Sequence, residues 1–81
     1  MTKQAHREAQ RVAPLGLDGI AKIRQIVAER QAQKVNEVFV DGFSASAIAQ
    51  VYDALNEANR EKFIALPVAR AAKVAFSLVK S

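Results

Sequence analysis

The stretch VDGFSASAIAQVYDALNEANREKF, from Val40 to Phe63, carries the clearest helical pattern in the sequence. Its apolar residues recur at the spacing of one helix face, at Ile48, Val51, Tyr52 and Leu55. Ser44 or Ser46 is predicted to cap this helix, and Asn56 is predicted to end it and to cap the next one. The stretch therefore indicates two consecutive helices that meet at a corner.

The chain before this stretch is predicted to form one helix and then to become extended. The helix is expected to start at an Asp18 cap and to run to about Gln33. Its apolar stripe consists of Ile20, Ile23, Ile26 and Val27. Residues 34–43 are rich in Val and Phe, which favours short extended arms around a turn at Asn36–Glu37. A continued helix is the alternative, and Asp41–Gly42 is a second turn signal whose glycine can take a positive φ.

The chain after Leu66 is predicted to form a last, strongly amphipathic helix, because Pro67 suits a first helical turn and cannot continue the helix before it. One stripe of this helix is apolar and consists of Val68, Ala72, Ala75, Phe76 and Val79. A second stripe is polar and basic and consists of Arg70, Lys73, Ser77 and Lys80. The helix is therefore expected to bury one face and to expose cations on another.

These elements predict an all-α fold, a compact small bundle of three main helices plus one short helix, with an extended or hairpin segment near residues 34–41. Residues 17–81 are expected to form a single helical domain. Residues 1–16 are expected to be a marginal or mobile N-terminal arm, because their apolar positions are mainly alanine. The break APLG, at residues 13–16, separates this arm from the domain.

The residue types that catalysis and metal binding need are scarce in this sequence. The chain has no Cys and one His, so disulfides and thiolate metal sites are excluded. The histidine, His6, lies in the predicted arm, where a general base would lack a fixed partner. The three glycines are too widely spaced for a phosphate-binding loop. The sequence therefore predicts no enzyme, no metal site and no cofactor.

Two features bear on the expected location of the protein. No segment approaches about 18 uninterrupted apolar residues, so no membrane-spanning helix is predicted. The first residues, MTKQAHREAQRVA, are polar and lack the apolar region of a signal peptide. The expected location is therefore the cytoplasm.

The charge of the chain is uneven, with basic ends and an acidic middle. Residues 1–34 carry seven basic and three acidic side chains, residues 35–66 carry two basic and five acidic, and residues 67–81 carry three basic and no acidic ones. The ends provide a candidate basic patch for nucleic acid, formed by Lys22, Arg24, Arg30, Arg70, Lys73 and Lys80. An ordinary solvated surface is the alternative explanation.

The break near Asn56 also invites a helix-turn-helix interpretation. Such a motif needs a tight turn, often with Gly, and a recognition helix whose first residues reach the bases. The break LNEAN has no Gly, and Glu57 and Glu61 at the start of the next helix would be repelled by phosphate. A packed helix corner is therefore favoured.

Three motifs after Lys34 carry a family resemblance: VDGFSASAI at residues 40–48, VYDALN at 51–56, and LPV at 66–68 followed by VAF at 74–76. With them the chain resembles small uncharacterised proteins of tailed bacteriophages that share the pattern VDxF[ST]ASAI…VYDALN…LPV…VAF. The likeness covers a little over half of the chain, and its motifs are mainly packing and capping residues. It implies a phage origin and the cytoplasm of the host cell, and it transfers no activity or site.

A sequence rich in packing signals and poor in site chemistry favours a protein that acts by protein–protein interaction. The expected partner is a second copy or a larger host or phage assembly. Candidate anchors for the core or for an interface are Phe39, Phe43, Phe63 and Phe76. The alternative function is a basic nucleic-acid-binding module that uses the last helix or a degenerate helix-turn-helix.

Overall fold

The computed structural model of the chain describes residues 12–80. Its helices and strands are α1 (Gly16–Glu29), β1 (Gln33–Val35), β2 (Val38–Val40), α2 (Gly42–Ala54), α3 (Glu57–Ile64) and α4 (Val68–Lys80). This part of the chain is largely helical, with three longer helices, one short helix and a two-stranded hairpin, rather than strictly all-α. Most of the predicted arm, residues 1–16, lies outside the described residues, and so does His6.

The start of α1 is held by contacts with the core instead of a side-chain cap. Leu15 is buried, and its N–H donates a 2.8 Å hydrogen bond to the carbonyl oxygen of Leu66. Gly16 follows with a φ of 67°, a left-handed value that favours glycine. The predicted Asp18 cap is therefore wrong, because the helix begins earlier and Asp18 lies in its first turn.

The end of α1 comes earlier than the predicted Gln33. The helix stops at Glu29, and Arg30 takes a left-handed conformation with a φ of 55°. After this point the chain must turn to enter the hairpin, and that turn ends the helical hydrogen bonds. The buried face of α1 consists of Gly19, Ile20, Ile23 and Ile26. Val27, which the sequence placed on the apolar stripe, lies on the exposed side.

The predicted extended segment is confirmed as an antiparallel hairpin, and the continued helix is wrong. Asn36 and Glu37 have φ values of 50° and 63°, and two successive positive values identify a type I′ turn. The register pairs Gln33 with Val40, Lys34 with Phe39, and Val35 with Val38. Because side chains alternate across a strand, Val35 and Val40 are buried and Phe39 points away from the core.

The caps of α2 and α3 are both side chains that precede the helix. Asp41 caps α2, since its Oδ1 accepts a 2.7 Å hydrogen bond from the N–H of Ser44. The predicted Ser44 or Ser46 cap is therefore wrong, and Gly42 begins the helix without using the positive φ that is open to glycine. Asn56 is confirmed as the cap of α3, with a 2.9 Å bond from the N–H three residues further on.

The core lies around α2, which packs against α1 and against α4. Two buried alanines, Ala45 and Ala47, face these neighbours and permit close approach of the helices. The largest fully buried side chains are Leu15, Ile23, Ile26, Ile48, Val35 and Val68. The hairpin closes this core through its two buried valines.

Candidate functional site

The contact between α2 and α4 leaves apolar surface exposed on both of its sides. One face of α2 carries residues at helical spacing, namely Phe43, Ala47, Gln50 and Ala54. The second half of α4 crosses this face, so that Phe76 lies beside Phe43 while Leu78 and Val79 lie beside the other end. We call this contact the α2–α4 seam.

On one side of the seam Phe43 and Phe76 form a stacked aromatic pair. The ring centroids are 5.5 Å apart and the ring planes are inclined by 21°. Phe76 is half-buried against the core, but Phe43 remains 74% exposed. Stacking of this kind contributes roughly 0.5–1.5 kcal/mol, which does not remove the ring of Phe43 from water. The pair is therefore fixed in position and still open to a partner.

On the other side of the seam lies an apolar groove with a volume of about 250 Å³. It is lined by Gln50, Val51, Ala54, Leu55, Leu78 and Val79. The last turn of α4 extends the apolar pattern of the helix beyond the core, and this leaves Leu78 and Val79 54% and 47% exposed. We call this feature the α2–α4 groove.

A second depression, of about 410 Å³, follows α4 itself. It is lined by Arg70, Lys73, Val74, Ser77 and Leu78, and we call it the basic strip. Leu78 belongs to both linings, so the groove and the strip are continuous. Neither lining includes a carboxylate among the described residues, and the sequence of α4 contains no acidic residue.

The C-terminal end of α2 is very different, because its polar groups are bonded within the chain. Arg60 donates from Nε to the carbonyl oxygen of Tyr52 at 2.8 Å and from Nη2 to that of Asp53 at 2.9 Å. Its guanidinium also lies over the Tyr52 ring, 5.0 Å from the centroid. The carboxylate of Asp53 accepts a 2.7 Å hydrogen bond from Nη2 of Arg24. We call these four residues the polar end of α2.

The electrostatics of the polar end follow from the bond between Arg24 and Asp53. The hydrogen bond from Arg24, assisted by its charge, holds the pKa of the Asp53 carboxyl below its ordinary value. The same bond raises the pKa of Arg24 above its ordinary value. Both side chains are about half exposed, so water screens the pair and its contribution to stability is small. Its main consequence is that the charge of Arg24 is already compensated.

Comparison of the chain with protein-family models, with curated proteins and with solved structures finds no match.

Five of the six residues of the predicted basic patch lie on α1 or α4, which both pack against α2, and Arg30 follows the end of α1. Lys22, Arg24 and Arg30 belong to the α1 part of the chain, and Arg24 is engaged by Asp53. Arg70 and Lys73 are exposed on α4, three residues apart, and Lys80 is the last residue of that helix. The structure thus brings Arg70 and Lys73 to one surface, the basic strip, and places the α1 residues on another helix.

The four predicted aromatic anchors have different environments. Phe63 is 4% exposed and belongs to the core. Phe76 is half-buried, and Phe43 covers it from the solvent side. Phe39 is 68% exposed on the outer face of the hairpin, beside Lys34 in register. Phe43 and Phe39 are therefore the two phenylalanines that are available to a partner.

Sequence reasoning missed three contributors to these surfaces. Val74 and Leu78 were assigned to neither stripe of α4, although their i, i+4 spacing beside Arg70 was a signal for an apolar edge next to the cations. The third contributor is Arg60. Nothing local to its sequence indicated that it bonds the end of α2.

Residues 12–80 contain a further cleft, at the start of α1, that bears on function. No group of three or more His, Cys, Asp or Glu side chains there could hold a metal ion. No helix in the same range is long and apolar enough to cross a membrane. The cleft at the start of α1 has a volume of about 350 Å³, and Asp18, Lys22 and Asn36 border it. These three side chains do not form an acid–base pair or a nucleophile–base pair.

Proposed function

We propose that this chain is a small non-enzymatic helical protein that acts by binding another protein through the surface around the α2–α4 seam. Its partner is a second copy of the chain or a larger assembly. On the resemblance of its motifs, the protein is of the tailed-bacteriophage type and works in the cytoplasm of the host cell. The observation that carries the proposal is the exposure of Phe43, Leu78 and Val79 along one helix contact.

The physical support is the cost of leaving this surface in water. Single exposed apolar residues are normal on a soluble protein, whereas a group of them along one contact is typical of an interaction site. Phe43 is held by Phe76, and Leu78 and Val79 are held on a helix, so a partner would meet preorganised side chains. Full burial of such a side chain is worth about 1.5–3 kcal/mol, and these three would gain the part of it that corresponds to their exposed area.

The nucleic-acid alternative draws its support from the basic strip alone. Arg70 and Lys73 are exposed on a helix without acidic residues, which suits phosphate contact. Arg24 is paired with Asp53, and this removes one cation from the predicted patch. The alternative predicts retention on duplex DNA that falls steeply as salt rises, and it loses its basis if no retention is measured at low salt.

The test compares the wild-type chain with the variant Phe43→Ser/Leu78→Ser. A matched control is Phe39→Ser, because Phe39 is similarly exposed but lies on the hairpin. Circular dichroism should show that all three chains are folded. Sedimentation velocity over a range of concentrations then measures self-association, and capture from a native host lysate followed by mass spectrometry identifies other partners.

We expect the wild type and Phe39→Ser to associate or to retain the same partner, and the double variant to lose that association. The proposal fails if the wild type stays monomeric and retains no protein. It also fails if the double variant binds as well as the wild type, because the interaction would then lie elsewhere.

A further inference from the structure

We propose that the α2–α4 groove and the basic strip together bind an acidic amphipathic helix of a different protein. This inference rests on the proposed function and adds the chemistry of the partner. The decisive juxtaposition is an apolar groove that shares Leu78 with a strip bearing Arg70 and Lys73, with no carboxylate in either described lining.

The shape of the surface suits a helix. The strip runs along α4, whose 13 residues span about 20 Å, and the groove continues from its last turn to the second half of α2. An amphipathic helix places apolar side chains at i, i+3, i+4 and i+7, and such a row can fill a groove between two helices. Leu78 lies between the two depressions and would be covered from both sides. The groove would thus bind the apolar side chains of the partner helix, and the acidic side chains beside them would lie over the strip.

The positive charge of this surface indicates that the partner is negatively charged. Arg70 and Lys73 lie one turn apart on α4 and are both exposed. The nearest acidic residue of α2 to the groove is Asp53, next to Ala54 in sequence, and it is bonded to Arg24. Neither described lining supplies a carboxylate to the cations of the strip, whereas Glu or Asp of a partner would form charge-assisted hydrogen bonds with them.

A second copy of the chain fits this surface poorly. In a two-fold dimer the same patch meets itself, so Arg70 and Lys73 of one copy would approach those of the other. Like charges at an interface are unfavourable, and α4 has no acidic residue to relieve them. An acidic partner removes this repulsion and keeps the apolar contacts.

Nucleic acid and a lipid surface also fit less well. A phosphate backbone would use Arg70 and Lys73 but would leave the apolar lining of the groove unmatched. A membrane surface would match the cations and exposed Leu78, but α4 already uses its apolar face for the core through Val68, Ala71 and Ala75. A concave groove is filled by protruding side chains rather than by a flat surface.

The experiment titrates the full isotopically labelled chain with two synthetic peptides of about 15 residues, long enough for marginal helix formation. Both carry Leu at helical spacing, and their other positions are Glu in one peptide and Lys in the other. We expect the acidic peptide to shift the amide signals of residues 50–55 and 70–79 and to bind at least about tenfold more tightly than the basic one. Added salt should weaken this binding.

Charge-reversed variants locate the contact. Arg70→Glu/Lys73→Glu should lower the affinity for the acidic peptide about tenfold. The control is Lys22→Glu, which changes an exposed lysine on α1 and should alter this affinity little. Leu78→Ser should also weaken binding, since it alters the residue shared by the groove and the strip. Circular dichroism of each variant checks that the fold is retained.

The outcomes separate this inference from the proposed function. The proposal of an acidic partner is wrong if the basic peptide binds equally well or more tightly. It is also wrong if the acidic peptide does not bind, or if the shifted amide signals lie outside residues 50–55 and 70–79. Preferential binding of duplex DNA or of phosphatidylglycerol vesicles to the same residues overturns it as well, and so does dimerisation through the groove. If the peptides fail while lysate capture still depends on Phe43 and Leu78, the proposed function stands. If capture fails too and the wild type stays monomeric, both are wrong.

Discussion

The polar end of α2 and the α2–α4 seam are two contacts of the same helix. The polar groups of the first are bonded within the chain, whereas apolar side chains of the second remain exposed. At the polar end, Arg60 bonds the last carbonyl groups of α2 and Arg24 bonds the carboxylate of Asp53. At the seam, about half or more of the surface of Phe43, Leu78 and Val79 remains exposed.

This contrast separates stability from binding. Polar groups that are bonded within the chain have little left to offer a partner, whereas exposed apolar groups add little to the folded monomer and are available for an interface. We therefore expect substitutions at the polar end or in the core beside it to change stability without changing binding. Substitutions at the seam should do the reverse.

The largest expected effect distinguishes two phenylalanines by the same substitution. Phe63→Ala should lower the free energy of unfolding by about 4 kcal/mol, because it empties a fully packed core site. Phe43→Ala should cost less than about 1 kcal/mol, because the ring is 74% exposed and loses mainly its stacking on Phe76. Urea unfolding of both variants measures the difference. Similar losses would mean that Phe43 belongs to the core and is no interface residue.

The second effect tests the polar end. Arg60→Ala should destabilise the chain by about 2 kcal/mol, since two charge-assisted hydrogen bonds to the end of α2 are lost. Arg60→Lys keeps the charge but lacks the planar fork, so it should recover only part of the loss. Thermal unfolding gives the stabilities, and peptide titration should show unchanged binding at the groove. Full recovery by Lys would show that the fork geometry is unimportant.

A smaller, stabilising effect is expected in the hairpin. Glu37 is a non-glycine residue with a φ of 63°, and the second position of a type I′ turn favours Gly. Glu37→Gly should therefore raise the free energy of unfolding by about 0.5–1 kcal/mol. Because Glu37 lines neither the groove nor the strip, binding at the groove should not change. A parallel change in binding would show that binding follows global stability rather than the seam.

The smallest effect is the response to acid. Hydrogen bonds from the backbone N–H and then the side chain of Ser44 hold the pKa of Asp41 below its ordinary value, and the hydrogen bond from Arg24 does the same for the pKa of Asp53. A lowered folded-state pKa gives stability that is present above the unfolded pKa and lost as pH falls through the folded value. The melting temperature should therefore decline as pH falls below about 4.

Two amide variants separate the contributions to this decline. Asp41→Asn retains a good helix cap but does not titrate, so its melting temperature should fall less steeply with acid than that of the wild type. Asp53→Asn should lose the ion pair at neutral pH and also show a shallower decline. If both variants keep the wild-type slope, other carboxylates govern the acid response.

The helices, the hairpin turn and the Asn56 cap followed from the sequence, because they depend on interactions between residues close in the chain. Periodic apolar residues, a side chain three positions before an N–H, and Val-rich arms around Asn36–Glu37 are all local signals. The same local reasoning failed where two neighbouring residues competed for one role, as with Asp41 and Ser44 at the cap of α2.

Only the packing of the helices assigned the four phenylalanines to core or surface and joined Arg24 to Asp53, 29 positions away. The end of α1 at Glu29 and the burial of Leu15 likewise depend on neighbours from other parts of the chain. From the sequence alone, side chains of the same type cannot be assigned to the core or to the surface. They become different when crossing helices enclose one ring, such as Phe63, and leave another, such as Phe43, at the edge of the contact.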